Sequence, residues 1–270
     1  MYTNLKELGN TEHRGVFEYY DLRKIILPDT LTAIRDFIFG GCSNLIDINI
    51  PYGVTELGYA CFKNCISLVR LELPPTIKLI KKRCFENCSS LETITLPDSV
   101  VSIGDYCFYK CTSLTRINLS NGISELPPEC FCRCESLPEI TIPDGVRIIG
   151  SGCFSFCTSL VQVNLPDGLK HLGPDCFGEC INLVIINIPS TIETVGPGCF
   201  IGCGINPNVN AVVSGFSKSD KYNGSLYSLG ILEEKEEDLI LKKDKKINET
   251  QINEDKKKDD EPNEQPRFFF

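Results

Sequence analysis

In the segment LTRINLS, residues 114–120, Leu114, Ile117 and Leu119 are apolar while Arg116 and Asn118 are polar. Ile117 and Leu119 stand two apart, so they share one face of an extended strand and leave Arg116 and Asn118 on the other. The same pattern returns every 23 residues. An aliphatic column runs Ile48, Leu71, Ile94, Ile117, Ile140, Val163, Ile186, and a second runs two positions on through Ile50, Leu73, Leu96, Leu119, Ile142, Leu165, Ile188. Proline follows the strand at 28, 51, 74, 97, 143, 166 and 189, with Ser120 as the exception. Having no N–H to donate, proline ends a ladder.

Other columns keep the same step. Phenylalanine stands at 39, 62, 85, 108, 131, 154, 177 and 200. Cysteine stands at 42, 65, 88, 111, 134, 157, 180 and 203, and again at 61, 84, 107, 130, 153, 176 and 199. A fixed period without insertions marks a solenoid whose coils bury their apolar columns only against one another. Each coil is expected to hold the strand, a second short extended piece such as VVSIG, and one helical turn at DYCFYKC. Glycine at 58, 104, 150, 173 and 196 is expected to supply a left-handed corner, although Arg35, Lys81 and Pro127 interrupt that column.

The expected fold is therefore a repeat solenoid, mostly β with short helical turns, of about eight stacked coils over residues 16–213. The first coil, 15–28, is degenerate. A 1–15 extension precedes the solenoid. A C-terminal cap at 214–243 and a disordered charged tail at 244–270 follow, the last being rich in Lys, Asp and Glu.

One period reads C-F-x-x-C-x-x-L-x-x-I-x-L-P-x-x-V-x-x-I-G-x-x, as in VVSIGDYCFYKCTSLTRINL at 100–119. This pattern resembles the BspA-type leucine-rich-repeat family over about 16–213. The resemblance implies an extended leucine-rich-repeat solenoid. Several members are cell-surface proteins of bacteria and protists that bind host proteins or other cells, so a surface adhesion or antigen role is implied as an alternative.

Composition narrows the chemistry. The net charge of -9 disfavours non-specific binding to nucleic acid or anionic membranes. Sixteen cysteines in 270 residues would suit a disulfide scaffold, but such scaffolds are short secreted chains. The first twenty residues carry no apolar core of a secretory signal, no run is long enough to span a membrane, and the chain closes on Arg-Phe-Phe-Phe without a prenylation cysteine. The expectation is a cytoplasmic chain, with the cell surface as the alternative.

The CxxxC spacing, strung along a line with two histidines in the whole chain, does not converge like a zinc site. Disulfides between neighbouring coils stay open on distance alone. Uniform repetition favours cysteine as a small buried hydrophobe. Cys132 stands outside both columns, follows Phe131 and is expected to be exposed, which makes it the candidate reactive thiol. A thiol-based redox or metal-binding alternative would rest on the cysteines alone. No phosphate loop, nucleophile elbow or privileged carboxylate pair occurs, so no catalytic residue, cofactor or metal is assigned.

The outward strand positions are the candidate partner-binding surface. One column is Asp47, Arg70, Thr93, Arg116, Glu139, Gln162, Ile185; the other is Asn49, Glu72, Thr95, Asn118, Thr141, Asn164, Asn187. The first varies in charge and is where specificity for a protein partner is expected. The second is nearly an Asn/Thr ladder and fits side-chain hydrogen bonding along the stack.

Overall fold

The computed structural model describes Glu7–Leu8, Phe17 and residues 21–205. The expected cap and charged tail lie outside the described residues. Two parallel sheets and a wall of turns surround one continuous core. Strands are labelled β1 to β17 in chain order. The first sheet holds β2 (Lys24–Ile25), β4 (Asp47–Ile48), β6 (Arg70–Leu71), β8 (Thr93–Thr95), β10 (Arg116–Asn118), β12 (Glu139–Thr141), β14 (Gln162–Asn164) and β16 (Ile185–Asn187). The second holds β1 (Glu7–Leu8), β3 (Ala33–Ile34), β5 (Glu56–Leu57), β7 (Leu79–Ile80), β9 (Ser102–Ile103), β11 (Glu125–Leu126), β13 (Ile148–Ile149), β15 (His171–Leu172) and β17 (Thr194–Val195).

Within the repeat, register follows the period. Ile117 sits opposite Ile94, and Ile149 opposite Leu172, each 23 residues away. The second sheet also recruits β1, paired to β3 by Leu8 opposite Ile34, from the segment expected to be an extension. Neither row is continuous: β4 does not bond β6, and two further breaks fall where proline removes a donor. Gly104 and Gly150 donate their N–H to Ile80 and Leu126, but Pro127 in the same column has none, and β9 does not bond β11. Pro138 likewise stands where Thr115 and Val161 donate, and β10 does not bond β12.

The third wall is not helical: no helix occurs among the described residues. Alternate N–H groups serve different coils. Those of Tyr106, Phe108 and Lys110 donate to the carbonyls of Pro128, Cys130 and Cys132 in the next coil, while those of Tyr109 and Cys111 close turns onto Tyr106 and Phe108. A helix needs every N–H for its own chain, so the inter-coil bonds exclude it. The alternation uses two left-handed residues per coil, such as Tyr106 at φ 57° and Lys110 at φ 61°, and they are mostly not glycine.

The column at Gly104 has another purpose than the expected left-handed corner. A Cβ on Gly104 would lie 2.2 Å from the Lys82 nitrogen, and one on Gly150 2.5 Å from that of Pro128. Neither has a positive φ; the glycines admit the backbone of the preceding coil.

Inside, the phenylalanines stack from Phe17 through Phe200, with centroids 5.2 to 5.6 Å apart and rings within 14° of parallel. Each such contact contributes about 0.5–1.5 kcal/mol beyond the area it buries. Both cysteine columns lie in the same core. Ser120, standing in the proline column, is fully buried; its hydroxyl lies 2.6 Å from the Val100 carbonyl and accepts the Gly122 N–H at 3.0 Å.

Candidate functional site

The cysteines divide into two roles by position. In the 42-to-203 column each thiol donates to the carbonyl of a core phenylalanine in the preceding coil: Cys65 to Phe39 and Cys88 to Phe62 at 3.1 Å, Cys111 to Phe85 at 3.2 Å, Cys134 to Phe108 at 3.3 Å. Each of these carbonyls also accepts a backbone N–H, as Phe85 does from Cys88 at 3.1 Å. The thiol thus fills the carbonyl's second lone pair in the core. Burial pushes the Cys107 and Cys111 thiols well above the ordinary range, and Cys180 is raised chiefly by its hydrogen bond with Cys203. None of the sixteen is bridged to another in a disulfide, and fifteen are buried, Cys203 being half-buried.

Cys132 is not exposed as expected. It is 5% accessible and lies beneath a depression of about 430 Å³ on the turn wall, whose rim includes Glu129, Arg133, Asp175 and Glu179. Burial, then the Glu129 carboxylate, pushes its thiol up to about 12. That disfavours the thiolate on which reactivity depends. Among the described residues no group of three or more His, Cys, Asp or Glu is arranged to hold a metal ion. His171 lies on the second sheet, with Nδ1 2.8 Å from the Thr194 hydroxyl.

The strand face keeps the two expected columns side by side. Asp47, Arg70, Thr93, Arg116, Glu139, Gln162 and Ile185 are all exposed. Asn49, Glu72, Thr95, Asn118, Thr141 and Asn164 are exposed beside them, and Asn187 is half-buried. Part of the second column is structural. Asn49 accepts the Leu27 N–H at 2.7 Å and donates to the Leu27 carbonyl at 3.3 Å; Asn187 holds Leu165 in the same way. Asn118 donates to the Thr95 hydroxyl at 3.2 Å.

Elsewhere three charge pairs follow the stack at the repeat spacing, Lys63–Glu86, Lys82–Asp105 and Lys170–Glu193. On the strand face Lys24 holds Asp47 at 2.5 Å. Arg70, Glu72, Arg116 and Glu139 take part in no ion pair among the described residues, although Arg116 and Glu139 are opposite charges 23 apart.

The face also holds a groove of about 480 Å³ that brings Asp47, Asn49, Arg70 and Glu72 together with Asp29 and Tyr52. Sequence reasoning missed the last two. Their column runs Asp29, Tyr52, Pro75, Asp98, Asn121, Asp144, Asp167, Ser190, and the lone aromatic was the available signal.

Comparison with known proteins places these features. The chain matches the sequence profile of the BspA type leucine rich repeat region in 6 copies, over residues 12–135 and 78–207. No curated protein sequence gives a significant match. Among solved structures, a leucine-rich repeat protein of T. pallidum is 28% identical with a TM-score of 0.50, the match covering 77% of this chain and 83% of that one. A leucine rich cell surface protein of Faecalibacterium prausnitzii is 22% identical with a TM-score of 0.54, covering 74% and 68%. A leucine-rich repeat protein of Bacteroides ovatus is 27% identical with a TM-score of 0.42, covering 68% of this chain; the chain spans 59% of that protein's length.

Proposed function

The chain belongs to the BspA-type leucine-rich-repeat family, and from that premise we propose that it is a non-enzymatic scaffold that binds a protein partner across the strand face of its solenoid. The observation that carries this is the first outward column, where Arg70, Arg116 and Glu139 stand exposed and, among the described residues, without ion pairs. A partner's charges would complete them. Solenoids present extended binding surfaces of this kind. The family's repeats supply a frame, and the buried thiols speak against a thiol-based activity.

The test is affinity capture with the wild type, Arg70→Glu and Arg116→Glu, followed by measured binding to the captured protein. Loss of the same partner from both variants supports the strand face. Retention of all partners counts against it.

A second reading is a surface-displayed adhesion protein, the location named for the Faecalibacterium neighbour. No helix among the described residues is long and apolar enough to cross a membrane. Protease treatment of intact cells separates the readings: cleavage of the protein supports display, and complete protection supports a partner inside the cell.

A further inference from the structure

The groove at the N-terminal end of the strand face has features its neighbours lack. Its floor is apolar, built by Ile50, Pro51 and Pro74, all buried, with half-buried Leu73 beside them. Tyr52 forms part of one wall and is 74% exposed, far more than a ring with a packing role. Asp29 and Glu72 line the groove and take part in no ion pair among the described residues, whereas the Asp47 charge is already held by Lys24. One cation, Arg70, shares the lining. Two unpaired carboxylates against one guanidinium leave a site that favours positive charge, and the face of a tyrosine ring attracts the same group.

Resting on the strand-face reading of the previous subsection, we infer that this groove seats an arginine or lysine side chain of an extended segment of the protein partner. The cation lies between Asp29, Tyr52 and Glu72, and the stem of the basic side chain covers the proline floor. Arg70 sets the register by taking an acidic group of the same segment. The apolar stem and charged head of a basic side chain suit a groove with an apolar floor and acidic rim.

The test uses the full chain with 13C-labelled tyrosines and a blocked Gly/Ser peptide bearing one central arginine, alongside the same peptide with neutral citrulline. The Tyr52 signals are assigned through Tyr52→Phe. The expected result is a saturable shift of the Tyr52 ring signals with the arginine peptide, little shift with citrulline, and binding weakened about threefold or more by Glu72→Gln. Glu125→Gln, which removes the same charge from the opposite sheet, leaves binding unchanged. Silent Tyr52 signals, equal shifts with citrulline, or equal weakening by Glu125→Gln would overturn the proposal. So would a concentration-dependent Tyr52 shift without peptide, since a second copy of the chain would then fill the groove. If the peptide fails while Arg116→Glu still abolishes partner binding, the groove assignment alone falls.

Discussion

The thiol of Cys111 donates to the main-chain carbonyl of Phe85 at 3.2 Å, reaching back one coil to an acceptor that Cys88 already uses. Cysteine in this column is therefore a donor as well as a small apolar side chain. Cys111→Ser keeps a donor and Cys111→Ala does not. Alanine is expected to cost about 1–2 kcal/mol and serine less. Urea denaturation of both variants checks this; serine costing more than alanine would mean that the side chain acts only through its apolarity.

Raised thiol pKa values have a consequence for stability at high pH. Burial holds Cys88, Cys107, Cys111, Cys134 and Cys157 protonated in the folded chain, while the same thiols ionise near pH 8.5 once unfolded. Above that pH the unfolded state binds fewer protons, so stability is complete below it and falls as pH rises. Each thiol adds a slope of about 1.4 kcal/mol per pH unit. Urea midpoints measured from pH 7 to pH 10 should stay level and then drop steeply; a flat profile would show that the thiols ionise equally in both states.

Lys110 sits at φ 61° on the turn wall and Gly104 beneath a neighbouring backbone, so the two positions respond oppositely to exchange. Lys110→Gly relieves a left-handed lysine, worth about 1–2 kcal/mol, against about 0.5–1 kcal/mol of added unfolded-state entropy. The melting temperature should hold or rise slightly. Gly104→Ala places a Cβ 2.2 Å from the Lys82 nitrogen and should cost about 3 kcal/mol. Thermal melts of the two variants moving in the same direction would contradict this assignment.

Ser120 replaces the proline of its column and bonds Val100 and Gly122 from a fully buried position. Ser120→Ala strands both main-chain groups and should destabilise by about 1–3 kcal/mol. Chemical denaturation of that variant gives the value directly; an unchanged midpoint would mean that the hydroxyl is replaceable by packing.

Much of the architecture was legible because the solenoid repeats one decision many times. The Phe108, Ile117 and Leu119 columns each announce burial by period alone, and the structure buries the first two and half-buries Leu119. The turn wall was misjudged because DYCFYKC has helix-compatible residues, and nothing local reveals that Tyr106 and Lys110 give their N–H groups to another coil. Left-handed conformations were sought at glycines, yet among the described residues non-glycine side chains such as Asn87, Tyr106, Lys110 and Glu129 hold most of them, since inter-coil hydrogen bonding outweighs the local preference. Cys132 looked exposed for lack of a column, but its neighbours Ser155 and Gly178 in the stack are small and sunken, and it sinks with them. On the candidate site, the outward columns were readable from alternation. The Tyr52 groove was not, because it depends on how three coils meet at a corner.

Thiol counting tests the central claim, that the cysteines are packed into the core of the solenoid, most directly. Native full-length chain and denatured chain are each reacted with a water-soluble aromatic disulfide reagent. The account predicts that half-buried Cys203 reacts promptly in the native protein and that all sixteen react in denaturant. Several native thiols reacting as fast as Cys203, or metal carried by the purified protein, would contradict it.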